Sequence, residues 1–542
     1  MAESPIDVNI LEQELARYDS PDRFLILDGF QNGFSLQYSG PRVAFDTKNL
    51  KSAKELPQIV QEKINKEITE RRVAGPFPER PIEMLRISPI GLVPKKTPGE
   101  FRLIHHLSYP HGFSVNDFID PRLTSVQYTS FDEAVFMLQE LGPNCKLCKM
   151  DLKNAFRLLP VNPNDFQLLG FKFNDQFYFD KSLPFGCAIS CHCFEKFATF
   201  LEFAVKRRMD SGKLLHYLDD FLGGDTSHTA CERLMQVFRN FMAELNVPLA
   251  EEKTEGPTEV LCFLGLELDS IQMVVRIPKE KQDELLHKIE FVLSKEKVTL
   301  KQMQSLIGSL NFCCRAIIPG RPFCRRLINA TCGLTKPNHH LRVTKPIRLD
   351  LQMWLNFFRE HNGVSAFHDR FWVSNEDVQL FTDSAAGPGC GFGIYFQGKW
   401  AHGIWPLSWR SIGLTDDITV LELFPILVAL HLWGSSLRNK RIKFISDNLA
   451  VTQIINSMTS RSEKIMCLVR QLTVRCLDLN IALRSAHIEG TQNNICDALS
   501  RQMMQRFRLL APDADADPTP VPEYLWNVFT LEPGSYLGPV LP

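Results

Sequence analysis

The spacing of apolar residues divides the chain into stretches of different character. Between 276 and 335 apolar side chains recur at helical spacing, as in Leu285, Ile289 and Val292, which predicts amphipathic helices. Between 76 and 275 short apolar runs alternate with helical periods and with turns that contain glycine. Such an alternation is typical of a mixed arrangement of strands and helices.

A second alternation begins at Val378. Strand, glycine turn, strand, helix and strand follow in QLFTDSA, GPGCGFG, IYFQ, ITVLELFPILVALHLWG and RIKFISD, and this order predicts a compact α/β unit. One further helix is predicted over 52–72, and another over 349–359 within an otherwise irregular linker. Residues 503–542 carry seven prolines and the acidic stretch PDADADPTP, which predicts an extended, weakly ordered tail.

Composition and charge narrow the function classes only slightly. The chain has 542 residues, a formal net charge of -1 and 44% hydrophobic residues, which is sufficient for a large core. Residues 276–350 carry 15 Lys and Arg against 6 Asp and Glu, a local net charge of +9 that could attract an anionic partner. The sequence has no signal-peptide pattern, and no apolar stretch approaches the roughly 20 residues that span a bilayer. We therefore expect an intracellular protein, in the cytoplasm or the nucleus, that does not bind a membrane.

Fifteen cysteines leave two zinc hypotheses open. Cys145 and Cys148 form a CxxC pair, although no second pair follows at zinc-ribbon spacing. The second group consists of Cys187, Cys191, His192 and Cys193. Reduced, buried thiols of an intracellular protein are the preferred interpretation of both groups.

Two adjacent aspartates stand in an apolar stretch, LLHYLDDFL (214–222). Burial of ionised carboxylates is costly and neighbouring carboxylates repel each other, so Asp219 and Asp220 need a partner. Asp151 ends another strand-like run, CKMD. Three carboxylates at neighbouring strand ends could hold two divalent cations, which promote an in-line displacement at phosphorus. The structural alternative for YLDD is a hairpin tip, where Asp is common.

The order of motifs from 88 to 269 resembles the fingers and palm of a reverse transcriptase. The motifs are SPIGLVPKKTPGEFRLIHHLS, CKMDLKNAFRLLPV, SLPFGCAIS, YLDD, AEEKTEG and FLGLELD. The resemblance implies that Asp151, Asp219 and Asp220 bind two Mg²⁺ ions, with Mn²⁺ as an alternative. It also implies that Lys253 protonates pyrophosphate while deoxynucleotides are added to a DNA primer on an RNA or DNA template.

The same resemblance assigns the residues around the incoming nucleotide. They are Lys95, Lys96, Arg102, Phe156, Phe185 and Gly186. Phe156 is implied to be a steric gate, because its ring would clash with a ribose 2′-hydroxyl. Phe185 stands where retroviral enzymes carry glutamine, as it does in retrotransposons. Gly265 in FLGLELD, with Gly308 and Phe312 in MQSLIGSLNF, would contact the primer–template duplex from the primer grip and the thumb.

A second group of acids follows in the predicted α/β unit. Its members are Asp383, Glu422, Asp447 and Asp497, with His487 ten positions before the last. An aspartic protease is the alternative for Asp383, but its motif needs glycine where Ala385 stands and a second copy. The placement resembles ribonuclease H, which implies two more Mg²⁺ ions and cleavage of the RNA strand of RNA–DNA hybrids. His487 would then assist proton transfer or product release.

The whole pattern resembles the polymerase and ribonuclease H region of a DIRS-type (tyrosine-recombinase) retrotransposon. The finer likeness rests on phrases such as ELPQIVQEKINKEI and RFRLLAPDADADPTPVPEYLW. The implied fold is α+β and α/β multidomain, a right-hand polymerase followed by a ribonuclease H-like mixed sheet. Its segments are an N-terminal extension (1–75), fingers and palm (76–275), thumb (276–335), connection (336–374), ribonuclease H domain (375–502) and proline-rich acidic tail (503–542).

The resemblance also names partners and leaves one alternative. The expected partners are an RNA template, a DNA primer, RNA–DNA hybrid and deoxynucleoside triphosphates. A tyrosine recombinase and a gag-like protein of the same element would complete integration and packaging. The alternative is a decayed or co-opted copy that binds nucleic acid without catalysis, although all seven metal-site acids are intact in the sequence.

Overall fold

The structure is a computed structural model that describes residues 2–95, 99–360, 362, 371–374, 376–446, 448–487 and 493–530. It divides into two compact units, Met1–Phe263 and Leu264–Pro542. This division is coarser than the six predicted segments, whose bounds stay predictions.

The first unit contains eight α-helices and twelve strands among its described residues. The helices are Val8–Leu15, Asp22–Asn32, Lys51–Glu55, Pro57–Thr69, Pro121–Thr124, Phe131–Leu141, Ser190–Lys206 and His228–Glu244. The strands are Phe45–Asp46, Val73–Phe77, Arg86–Ile87, Ile90–Pro94, Phe101–His105, Lys146–Asp151, Gly170–Phe173, Gln176–Asp180, Lys213–Tyr217, Asp220–Asp225, Glu255–Thr258 and Val260–Phe263.

Four of these strands form an antiparallel sheet, here called the palm sheet. Their order across the sheet is Glu255–Thr258, Lys146–Asp151, Asp220–Asp225 and Lys213–Tyr217. Helices Ser190–Lys206 and His228–Glu244 bury rings such as Phe197 and Phe238 in the largest core of this unit. Burial of these apolar faces fixes the sheet that carries the first acid group.

The predicted N-terminal extension differs from the prediction at one helix. The single helix expected over 52–72 is two helices, Lys51–Glu55 and Pro57–Thr69. Pro57 lacks a backbone N–H and restricts the preceding residue, and Leu56 accordingly lies at φ -127°. The apolar period continues across this break, so the pattern alone did not show it.

The second unit contains the predicted helical segment and the predicted α/β unit. Its helices are Lys279–Leu293, Leu300–Cys313, Arg325–Thr331, Lys345–Glu360, Leu407–Ser411, Ile418–Trp433, Leu449–Ser457, Glu463–Asp478, Asn494–Ser500, Met504–Leu510 and Glu523–Trp526. Its strands are Leu266–Asp269, Val274–Arg276, Lys297–Thr299, His340–Arg342, Trp372–Ser374, Leu380–Ser384, Gly391–Phe396, Lys399–Ile404, Arg441–Ser446 and Ala482–His487.

The α/β part of this unit has the predicted order of elements, with the strand Lys399–Ile404 in addition. Three strands are antiparallel, in the order Leu380–Ser384, Gly391–Phe396 and Lys399–Ile404. Three others are parallel, in the order Trp372–Ser374, Arg441–Ser446 and Ala482–His487. Mixed strand directions were expected for this region.

Two expectations about apolar and irregular stretches are wrong. Among the described residues one helix, Ile418–Leu437, is long and apolar enough to span a membrane by length and composition, and 67% of its most apolar window is buried inside the protein. Residues of the predicted weakly ordered tail are also packed: Phe507 lies against Trp400, and Leu525 and Val528 are fully buried. Apolar side chains of the tail pack onto the core, and their burial stabilises an ordered conformation despite the many prolines.

Candidate active site

The aspartates of the first acid group lie together at one end of the palm sheet. Asp151 is the last residue of its strand and lies opposite Asp220 in the neighbouring antiparallel strand. Asp220 is in turn opposite Tyr217, so Leu218 and Asp219 form a two-residue turn, with Leu218 in the left-handed region at φ 54°. The hairpin predicted for YLDD is confirmed, and it brings the three carboxylates into one site.

The electrostatics of this site favour cations. Burial, followed by the hydrogen bond with Asp151 and the charge of Asp219, raises the pKa of Asp220 to about 7. Burial and the charge of Asp151 also raise the pKa of Asp219. Lys253 donates a hydrogen bond from Nζ to Asp151 Oδ1 at 2.8 Å. Burial opposes a charged Lys253, but that bond and the three carboxylates raise its pKa.

These carboxylates fit hard divalent cations. Their oxygens are the ligands that Mg²⁺ prefers, and a hydrogen bond between Asp151 and Asp220 requires a proton that cations would displace. Within the described residues no three His, Cys, Asp or Glu side chains converge as ligands of one ion, so binding would need carboxylate rotation. The same finding leaves both zinc hypotheses without a ligand set, and the Cys148 thiol instead hydrogen-bonds Cys231.

A cavity of about 480 Å³ opens beside the acids. Its lining includes Lys95, Arg102, Asp151, Phe156, Phe185, Asp219 and Lys253. The Arg102 guanidinium lies 4.8 Å from the centroid of the Phe185 ring. Lys95 forms an ion pair with Glu100 at 3.0 Å, and Lys96 lies outside the described residues. The cavity therefore combines carboxylates, cations and aromatic rings.

Phe156 and Phe185 form an aromatic wall of this cavity. Their ring centroids are 5.4 Å apart, and Phe156 also packs edge-on against Phe194 at 5.5 Å. The turn that carries Phe156 from the strand end contains two consecutive left-handed residues, Asn154 at φ 72° and Ala155 at φ 37°. Such backbone strain is common where a side chain is held for function.

The glycines assigned by resemblance differ in their surroundings. Gly186 has φ 115°, and a Cβ there would overlap a neighbouring carbonyl oxygen. Gly265, in the second unit, has φ 79° and accepts a hydrogen bond from Lys281 at 2.9 Å. The same ammonium lies 4.0 Å from the centroid of the Phe312 ring. Gly308 is exposed on its helix and open to close approach.

The second acid group is partly assembled by Ser500. Its hydroxyl donates to Asp383 Oδ2 at 2.7 Å and lies 3.0 Å from the carbonyl oxygen of Asp497. Ser500 was not predicted from the sequence, although it follows Asp497 by three positions and thus shares its helix face. The Asp497 carboxylate also pairs with Arg501 at 2.7 Å.

Glu422 is brought to the same place by its helix. Ser384, next to Asp383, donates to the carbonyl oxygen of Leu421 at 2.8 Å. Burial, and then the charges of Asp383 and Glu422, raise the pKa of the Cys496 thiol. Both carboxylates therefore lie near helix Asn494–Ser500, which carries Cys496 and Asp497. Three of the four predicted acids are thereby close together.

Of the two remaining predicted members of this group, the structure describes His487 alone. His487 ends its strand, is exposed, and lies in register with Ser446 on the parallel neighbour. Asp447 directly follows Ser446 in the chain and lies outside the described residues. The four-acid site thus stays a prediction for Asp447.

Comparisons with known proteins place the first acid group in a family. Residues 93–268 match the family model "Reverse transcriptase (RNA-dependent DNA polymerase)". Protein P of duck hepatitis B virus is 27% identical over 164 residues, which are 30% of this chain and 19% of that protein. Protein P of heron hepatitis B virus is 26% identical over 164 residues, with 30% and 20% covered. The match thus spans about a fifth of the length of these relatives.

One solved structure shows a similar fold. The foamy viral protease-reverse transcriptase in complex with RNA/DNA hybrid is 14% identical, with a TM-score of 0.50 over 89% of this chain and 63% of that one. A second foamy viral complex, of the dRH protein with double-stranded DNA, is 15% identical at a TM-score of 0.49 over 89% and 82%. The predicted multidomain α+β class with a right-hand polymerase fold is confirmed. The stretch from 93 to 268, which carries the palm carboxylates, is thus similar to a reverse transcriptase domain.

Proposed function

We propose that this protein makes DNA on RNA and DNA templates by two-metal nucleotidyl transfer. One observation carries the proposal: three carboxylates lie together, one with a pKa of about 7, and two of them, Asp151 and Asp219, line a cavity with cations and aromatic rings. Perturbed carboxylates in such a cleft are typical of catalytic sites. The family match over 93–268 supports the same activity.

The chain's own residues have separate tasks in this reaction. Asp151, Asp219 and Asp220 would hold two Mg²⁺ ions, which supply Lewis acidity and charge neutralisation at the reacting oxygens. Arg102 binds the triphosphate next to the Phe185 ring. Lys253 keeps a proton beside the carboxylates and delivers it to the leaving pyrophosphate.

The second acid group supports a further part of the proposal. Asp383, Glu422 and Asp497 lie close together, and with Asp447 they would hold two Mg²⁺ ions and cut the RNA strand of RNA–DNA hybrids. His487 would assist proton transfer at the edge of this site.

We further propose that the element is a DIRS-type retrotransposon and that the protein acts inside the cell, in the cytoplasm or the nucleus. A tyrosine recombinase and a gag-like protein of the same element would be its partners. A catalytically silent nucleic-acid-binding copy is the competing function. A primer-extension experiment separates an active polymerase from a silent copy, because a silent copy would bind the primer–template duplex without extending the primer.

Primer extension on an RNA template with Mg²⁺ tests the polymerase. Asp219→Asn keeps the size of the turn residue but removes a negative ligand, so extension should fall by several orders of magnitude. Asp225→Asn is the matched control, because Asp225 is buried on the strand that begins at Asp220 and accepts a hydrogen bond from Ser211 at 2.6 Å. Wild-type extension rates in Asp219→Asn, or no extension by the wild type, would contradict the proposal.

A further inference from the structure

A buried ion network lines part of the same cavity, next to the aromatic wall. We define this network by Glu67, Arg72, His105, Arg157 and Asp180. Arg157 is 8% exposed, and its Nη2 lies 2.8 Å from both Asp180 Oδ1 and Glu67 Oε2. Arg72 binds the same Glu67 carboxylate at 2.9 Å and 3.0 Å. His105 Nδ1 lies 2.9 Å from the second oxygen of Asp180.

The network is joined to both rings of the aromatic wall. Arg157 follows Phe156 directly in the chain, so the guanidinium and the ring share one short turn. The backbone N–H of His105 donates to the carbonyl oxygen of Phe185 at 3.1 Å. Arg157 also donates from Nη1 to the carbonyl oxygen of Ser182 at 2.9 Å, three residues before Phe185. Each ring is thus tied to one side of the same ion pair.

The charges of the network are closely balanced inside the protein. Burial opposes the ionised form of Asp180, but the charge of Arg157 and the hydrogen bond with His105 lower its pKa. Burial alone would lower the pKa of the Arg157 guanidinium, but the charges of Asp180 and Glu67 raise it. Removal of one partner would leave an uncompensated buried charge. The pair therefore fixes the positions of its neighbours more than it adds stability.

We propose that Asp180 and Arg157 are positioning residues that set the separation of Phe156 and Phe185, and thereby the selectivity for deoxynucleoside over ribonucleoside triphosphates. This inference rests on the proposed polymerase function. Both residues line the same cavity, and in this proposal the ion pair acts on the sugar through the two rings. A shift of one ring by a fraction of an ångström would change the space beside the sugar.

The kinetic test uses the full chain with Asp180→Asn, which keeps the side-chain shape and removes the charge. The ratio of kcat/KM for a deoxynucleotide to that for the matching ribonucleotide should fall about tenfold. Asp165→Asn is the matched control and should keep the wild-type ratio, because Asp165 is 3% exposed and pairs with Arg42 at 2.6 Å. A merely structural role would lower both kcat/KM values together and leave their ratio unchanged, which would overturn the proposal.

A second measurement does not depend on activity. A fluorinated phenylalanine placed at position 156 reports the surroundings of that ring by fluorine NMR. Its resonance should move in Asp180→Asn and in Arg157→Lys, which keeps the charge but loses the forked geometry, and stay fixed in Asp165→Asn. If the wild type adds no nucleotide, the proposed function fails while this measurement still decides the positioning role. An unmoved resonance in either folded variant would overturn the inference.

Discussion

At the scale of single residues, Phe156 is both a packed ring and a wall of the cavity. Its half-buried ring touches Phe185 and Phe194. We predict that Phe156→Ala admits ribonucleotides, lowering the preference for deoxynucleotides on the order of a hundredfold, because the space beside the sugar would open. Competition between labelled deoxy- and ribonucleotides in primer extension measures this preference.

The control for this prediction is a core ring farther along helix Ser190–Lys206. Phe200 is fully buried, does not line the cavity and packs against Tyr18 and Phe197. Phe200→Ala should cost about 3–5 kcal/mol of unfolding free energy, as core phenylalanines do, and should leave sugar selectivity unchanged. If Phe156→Ala discriminates as well as the wild type, Phe156 is only a core residue.

The same scale shows why some site residues could be predicted and others could not. Asp219 and Asp220 stood out because two adjacent acids in an apolar stretch need a counter-charge. The contact of Arg157 with Glu67 joins residues 90 positions apart, and that of His105 with Asp180 joins residues 75 apart. No local sequence pattern identifies such pairs, because the two members are far apart in the chain and each has ordinary apolar neighbours.

At the scale of elements, His216 ties the hairpin that carries Asp219 and Asp220 to helix Ser190–Lys206. Its Nδ1 pairs with Glu202, and its Nε2 lies 3.2 Å from Glu195 Oε1. The ring stacks on Phe221 of the neighbouring strand, with centroids 5.5 Å apart. Burial would lower the pKa of His216, but the two glutamates raise it from 6.5 to about 9.

This raised pKa predicts a pH-dependent stability. The imidazolium stabilises the folded state fully below pH 6.5, and its contribution is lost as the pH rises from 6.5 to about 9. The melting temperature of the wild type should therefore fall over this range more steeply than that of His216→Gln. His228→Gln, at an exposed helix start beside Glu232, should follow the wild-type curve. Parallel curves for wild type and His216→Gln would exclude this role.

Elements were predicted well where an apolar period coincides with burial. The hairpin at YLDD and the helix at Leu300–Cys313 are of this kind. The break at Pro57 was missed because the apolar period continues across it. The packed tail was missed because composition describes only residues that are neighbours in sequence. Leu525 instead contributes to a core formed by residues far from it in the chain. Tertiary burial decides such segments.

At the scale of the whole molecule, the two acid groups lie in different compact units. The palm carboxylates belong to Met1–Phe263, and the second group belongs to Leu264–Pro542. Each unit buries its own apolar cluster. Substitutions in separate cores with no shared partner usually act independently. We therefore expect either activity to survive loss of the other.

Asp447→Asn tests this independence and the membership of Asp447 in the second site. The variant should abolish cutting of a labelled RNA–DNA hybrid while primer extension stays near the wild-type rate, because only one metal site loses a charge. A structural role in capping the next helix is already filled by Asn448, whose side chain accepts a hydrogen bond from the Val451 N–H at 3.1 Å.

Asn448→Ala is therefore the matched control for the neighbouring position. It should lower the unfolding free energy by about 1 kcal/mol through the lost cap and still cut the hybrid. Melting temperatures of both variants separate loss of folding from loss of chemistry. Undiminished cleavage by folded Asp447→Asn would remove this residue from the site, and the neighbouring acids Asp383, Glu422 and Asp497 would have to act without it.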